Sequence, residues 1–125
     1  MKRVISTVRA PKAIGPYSQA IAVGNTVYVS GQIPVDPELG TIPEGIQAQT
    51  ELAIQNLCAI LNEYNMALEN VVKTTVFMAN LNDFAAMNQI YEKHFPQPYP
   101  ARSAIQIARL PKDSPIEIEC IAVKF

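Results

Sequence analysis

The stretch IQAQTELAIQNLCAILNEYNMALENVVKTTVFM, from Ile46 to Met78, sets a helix pattern directly before a strand pattern. Between Ile46 and Tyr64 the residues Ile46, Thr50, Ala53, Leu57, Ile60, Leu61 and Tyr64 recur at helical spacing and form one mainly apolar stripe. Such a stripe has to be covered, and a sheet can cover it. Val71 to Met78 is dense in β-branched and apolar residues, which predicts a central strand buried on both faces.

Working upstream, Gln19–Val23 and Thr26–Ser30 flank Gly24-Asn25, a two-residue connection of residues that tolerate positive φ, as primed hairpin turns require. Pro34-Val35-Asp36-Pro37-Glu38-Leu39-Gly40 is rich in turn formers and predicts a surface loop into the helix. Downstream, Asn82-Asp83 signals a second helix start. Phe84, Asn88, Tyr91 and Phe95 follow at spacings of four, three and four, and the helix stops before Pro96. Arg102–Ala108 and Ile116–Val123 read as two strands joined by Leu110-Pro111-Lys112-Asp113. With no repeats or linker-like shifts, residues 1–125 predict one α+β domain: two β-rich halves, each with one helix, the helices layered on one face of a mixed sheet.

Hydrophobic residues make up 49% of the 125 and charged residues 17%, a lean charge complement that leaves apolar surface to be hidden against another subunit. An oligomer is expected. Ten basic and eleven acidic side chains leave a formal charge of -1, so no overall excess draws the chain to phosphate backbones or anionic lipid. The first ten residues lack the apolar core of a signal peptide, and no apolar run nears the roughly 20 residues that span a bilayer, so the expected location is the cytoplasm. Cys58 and Cys120 sit among apolar neighbours and read as buried reduced thiols, and His94 as a solvated helix-terminal histidine.

The residues with chemistry to offer cluster in the last quarter. Arg102 and the acids Glu117 and Glu119 lie on neighbouring strand-like segments: an arginine offers a planar fork that matches a carboxylate, and a partly enclosed carboxylate can orient or deprotonate water. Strand alternation sets Arg102 with Ala104, Gln106 and Ala108, opposite Ser103, Ile105 and Ile107, so Arg102 is expected to point away from the apolar face. Glu117 and Glu119 share the face opposite Ile116, Ile118 and Cys120. The same pattern also suits an edge-strand arginine in a salt bridge and two solvated acids. Asn88 interrupts an aromatic stripe, where an unpartnered amide would cost roughly 1–3 kcal/mol. Tyr17 follows the rigid turn Gly15-Pro16, and Ser30-Gly31 ends a strand where glycine permits close approach. There is no glycine-rich phosphate loop, zinc-spaced Cys/His cluster or G-x-S-x-G elbow, so no cofactor and no metal are implied.

Four ordered motifs also carry a resemblance: Ile14-Gly15-Pro16-Tyr17-Ser18, Ser30-Gly31-Gln32-Ile33-Pro34, Val72-Lys73-Thr74-Thr75-Val76-Phe77, and the run from Pro100 to Glu119. Over nearly its whole length the chain resembles the RidA/YjgF family of reactive-intermediate deaminases. The resemblance implies a chorismate-mutase-like fold, a mixed six-stranded sheet with two helices on one face, assembled as a homotrimer with ligand clefts between subunits. It implies hydrolysis of 2-imino and enamine acids, such as 2-iminobutanoate and 2-iminopropanoate, to 2-keto acids and ammonia. Carried over by position, Arg102 binds the substrate carboxylate and Glu117 positions the water, with Glu119 structural or interfacial. Asn88 borders the cleft, Tyr17 forms a wall, and Ser30 and Gly31 offer backbone contacts. Two departures stand out. Ala104 replaces a cysteine that many relatives have, which removes a thiol nucleophile, and the His94–Tyr99 connection is shorter than in some members. The rival readings are a non-catalytic metabolite sensor and an RNA-cleaving translation inhibitor. The balanced charge and the lack of interleaved basic and aromatic residues count against nucleic acid.

Overall fold

The computed structural model describes residues 1–125. Its strands are β1 (Lys2–Ile5), β2 (Ala20–Val23), β3 (Thr26–Gln32), β4 (Val71–Met78), β5 (Ala101–Gln106) and β6 (Ile116–Val123), and its helices α1 (Ile46–Asn62) and α2 (Phe84–His94). The strands form one sheet in the order β1-β2-β3-β6-β4-β5. All neighbours are antiparallel except β4 and β5, which run parallel because α2 carries the chain back between them.

The β2–β3 hairpin closes with Val23 opposite Thr26, and Gly24 takes φ +60° at the first central position. Strand β3 runs past the predicted Ser30 to Gln32, and its register against β6 shifts between Val29 and Gln32. That shift marks a bulge at Ser30-Gly31. Strand β1 has no counterpart in the sequence reading: only Ile5 of its four residues is buried, so it shows no alternation to detect.

Alternation along the strands sorts the sheet into two faces. Ala20, Ala22, Val27, Val29, Thr74, Val76, Met78, Ile116, Ile118, Cys120 and Ala122 are buried beneath the helices. The opposite face carries Val4, Ile21, Tyr28, Ile121, Lys73, Phe77 and Ile105, and nothing in the chain covers it. Strand β4 is therefore buried on one face, where the sequence predicts two. Helix α1 packs over β3 and β6 and alongside α2, so it buries Ile54 and Asn56 as well as Thr50, Ala53, Leu57, Ile60 and Leu61 of its predicted stripe. Ile46 and, past the helix end, Tyr64 are partly buried. Asn56 donates to the carbonyls of Ile33 and Val35, both at 3.1 Å, and so pins the exit of β3 to the helix. His94, expected in solvent, pairs instead with Glu51 of α1 and ties the two helices. No helix is long and apolar enough to cross a membrane.

Candidate active site

Arg102 sits near the start of the edge strand β5, in register with the fully buried Thr74 of β4. It therefore points to the face that α2 covers, whereas the sequence reading aims it away from the apolar side. The alternation is as expected, but on this edge strand the isoleucine-bearing face is the open one, with Ile105 45% exposed. The spacing of four, three and four then explains itself: Phe84, Asn88 and Tyr91 line one side of α2 and receive the guanidinium, and Phe95, just past the helix end, stacks on Tyr91. The Arg102 Cζ lies 5.3 Å from the Phe84 ring centroid and 4.7 Å from that of Tyr91, within cation–π range. Between the rings, Arg102 Nη1 donates to Asn88 Oδ1 at 2.7 Å. This is the partner that an amide in an aromatic stripe requires.

No carboxylate of the chain pairs with Arg102, so the salt-bridge alternative is not realised within it. The guanidinium borders a cavity of about 400 Å³ together with Asn88, Tyr91, Glu92, Tyr99 and Pro100. A half-buried arginine with its fork only partly engaged is suited to a small carboxylate.

Glu117 lies on β6 across from Phe77, on the open face of the sheet. The β3 bulge brings Gly31 beneath it. A Cβ built on Gly31 would stand 2.6 Å from Glu117 Cδ and 2.7 Å from Oε1, so the glycine is there for room. Burial pushes the Glu117 carboxyl above its usual range, and the negative charge of Glu119 adds to the effect. Gly31 and the half-exposed Tyr17 share a cavity of about 440 Å³, with Lys12 and Lys112 on its rim. Ser30 donates from Oγ to the Ser18 carbonyl at 2.6 Å and from its N–H to the Gln19 carbonyl at 2.9 Å. Its hydroxyl thus braces the turn that holds Tyr17.

The six residues singled out in the sequence accordingly form two groups: Arg102 with Asn88, and Glu117 with Gly31, Ser30 and Tyr17. Arg102 and Glu117 do not occupy neighbouring strands, because β4 lies between β5 and β6, and they project from opposite faces of the sheet. Thiol chemistry has no foothold near either group. Burial, then Cys58 and Glu119, push the Cys120 thiol up to about 12, and burial also raises Cys58. Ala104 packs against the core. No three His, Cys, Asp or Glu side chains gather as metal ligands would.

Residues 7–124 match the family model described as Endoribonuclease L-PSP. The mouse protein named 2-iminobutanoate/2-iminopropanoate deaminase is 48% identical over 125 residues, covering 99% of this chain and 93% of that protein. Two Escherichia coli crystal structures superpose closely. The YjgF gene product does so with a TM-score of 0.94 and 46% identity, and TdcF with bound serine with 0.93 and 46%; each covers 98% of this chain and 99% of its own. The chain belongs to the RidA/YjgF family. Its six-stranded mixed sheet with two helices on one face is the α+β fold expected of a RidA/YjgF protein. Sequence reasoning used Phe84 and Tyr91 only to place the helix and gave Tyr99 no part in the site, yet Phe84 and Tyr91 hold the guanidinium and Tyr99 walls its cavity. The available signal was the aromatic flanking of Asn88 on a helix preceding an arginine-bearing strand.

Proposed function

We propose that this chain hydrolyses 2-imino acids with small side chains, 2-iminobutanoate and 2-iminopropanoate among them, to the 2-keto acid and ammonia. The observation that carries the reading is the Arg102 guanidinium, held by Asn88, Phe84 and Tyr91 at a cavity of about 400 Å³ with no carboxylate of its own chain. Arg102 holds the substrate carboxylate. Glu117, ionised, takes a proton from water as the oxygen attacks the carbon of the protonated imine, and it returns that proton to the carbinolamine nitrogen. As the C–N bond breaks, the hydroxyl proton passes to the carboxylate while C=O forms, to leave finally with the ammonia as ammonium. Imines are reactive enough that positioning supplies much of the acceleration. The name of the mouse relative and the serine bound in TdcF, an amino acid with an α-carboxylate, support the same substrate class.

Because Arg102 and Glu117 project from opposite faces of one sheet, the working site combines the Arg102 group of one copy with the Glu117 group of another. The uncovered face bearing Tyr28, Ile121, Phe77 and Ile105 is the surface that a neighbour would cover, and we assign the assembly as a homotrimer. The test is imine generated in situ from serine or threonine by a dehydratase, with semicarbazide as the competing trap. Added protein should lower semicarbazone yield and speed keto-acid release. Unchanged semicarbazone formation at micromolar protein would defeat the reading. RNA cleavage, which the description of the matching family model names, is the second reading. Fragmentation of a single-stranded RNA by wild type but not by Arg102→Ala would favour it.

A further inference from the structure

Tyr91 has no part in holding the carboxylate or directing the water, yet it is fixed on three sides. Its side chain is 4% exposed, its Oη lies 2.7 Å from Oγ1 of the fully buried Thr74, and its ring stacks on Phe95 with centroids 4.2 Å apart. The remaining side of the ring meets Arg102, with Cζ 4.7 Å from the centroid. An arginine side chain has several freely turning bonds, and the single hydrogen bond to Asn88 fixes one edge of its fork without fixing its plane.

We infer that Tyr91, locked in place by its hydrogen bond to Thr74, is a positioning residue for Arg102. It holds the guanidinium with its unpaired N–H groups towards the cavity. The hydroxyl shares a hydrogen bond with Thr74 while the ring face meets the guanidinium, so Tyr91 acts through its ring. The inference rests on the carboxylate-binding role proposed for Arg102. It assigns strand β4 a share in the site through Thr74, although β4 contributes no group that touches the ligand.

The distinguishing consequence is a split between KM and kcat. A guanidinium that wanders holds ground state and transition state equally poorly, so KM rises and kcat stays. Tyr91→Leu, which removes the ring, should raise KM for imine and Kd for 2-ketobutanoate about 3- to 30-fold, the range of a partly buried cation–π contact. Tyr91→Phe keeps the ring and Thr74→Val keeps the shape beneath it, so both variants should fold. Each should raise KM by under about threefold, and the double variant should resemble either single one, because both remove the same hydrogen bond. The Arg102 Nε–H resonance, displaced by the ring current in wild type, should move in Tyr91→Leu and stay near its place in Tyr91→Phe. A folded Tyr91→Leu protein with wild-type Kd and an unmoved Arg102 resonance overturns the inference, as does a loss confined to thermal stability. Should Arg102→Ala itself keep full affinity for 2-ketobutanoate, the proposed role of Arg102 fails. The resonance would still report whether Tyr91 holds the guanidinium.

Discussion

Arg102 shows what one residue type can and cannot reveal. Its chemistry was legible, since the planar fork is the same in any fold, but its direction was not. Alternation separates two faces and leaves open which of them a helix will cover. Placing Arg102 beside α2 adds a requirement that the motif does not state: the guanidinium must be flat enough to lie against Phe84 and Tyr91 while reaching Asn88. Arg102→Lys keeps the charge and loses both fits, and kcat/KM should fall about 5- to 150-fold, or roughly 1–3 kcal/mol. An undiminished value in steady-state assays would remove the fork from the mechanism. Glu117 presents the opposite balance, because burial and Glu119 raise its carboxyl above the ordinary 4.5. As the water-directing base it works ionised, so kcat should climb as pH rises through this raised pKa. A raised folded-state pKa means that the fold favours the protonated form, and stability falls as pH rises through it. Glu117→Gln, which mimics that neutral form, should therefore melt above wild type at pH 7, and the gap should close below about pH 4. Paired melts at the two pH values check this, and the variant should retain 2-ketobutanoate binding while hydrolysis drops about 10²–10⁴-fold. A gap that widens on acidification would contradict the sign.

At the scale of elements, long periodic segments were read well and short or edge ones were not. Strands β4 and β6 and the start of α2 fall where the pattern sets them, because eight alternating or densely apolar residues leave little choice of register. Strand β1 escaped notice: Lys2, Arg3 and Val4 are exposed, and charged residues of this kind blunt an edge without marking a strand. The β3 bulge was likewise invisible, since a bulge is a mismatch between two strands and neither shows it alone. Its consequence is testable at Gly31. The nearest atoms to a methyl there are Cγ, Cδ and Oε1 of the flexible Glu117 side chain, so Gly31→Ala should fold with little change in thermal midpoint while forcing the carboxylate aside. Hydrolysis should drop at least about tenfold at near-constant affinity for 2-ketobutanoate, the pattern of a lost transition-state interaction. Full turnover in a folded Gly31→Ala protein would show that Glu117 does not act from above Gly31.

For the whole molecule, the sheet itself decides what one chain can do. A strand reading of β4 as buried on both faces was wrong for the isolated chain and is what a second subunit against the open face would make true. The exposed side chains of Tyr28, Ile105 and Val4, with Phe77 half-buried among them, argue the same way, being costly to leave in water as one surface. Light scattering should give three times the chain mass, and a monomer with full activity would exclude a composite site. Subunit mixing asks the sharper question of whether Arg102 and Glu117 act across a boundary. Arg102→Ala and Glu117→Gln proteins should each be nearly inactive alone. Unfolded together in equal amounts and refolded, they reassort at random. In the proposed cyclic trimer each cleft would take Arg102 from one chain and Glu117 from the next, so about a quarter of clefts would inherit both intact residues. Recovery of about a quarter of wild-type activity is the expected result. If each chain used its own pair, every cleft in the mixture would lack one residue, and activity would stay at the level of the separate variants however long they exchanged.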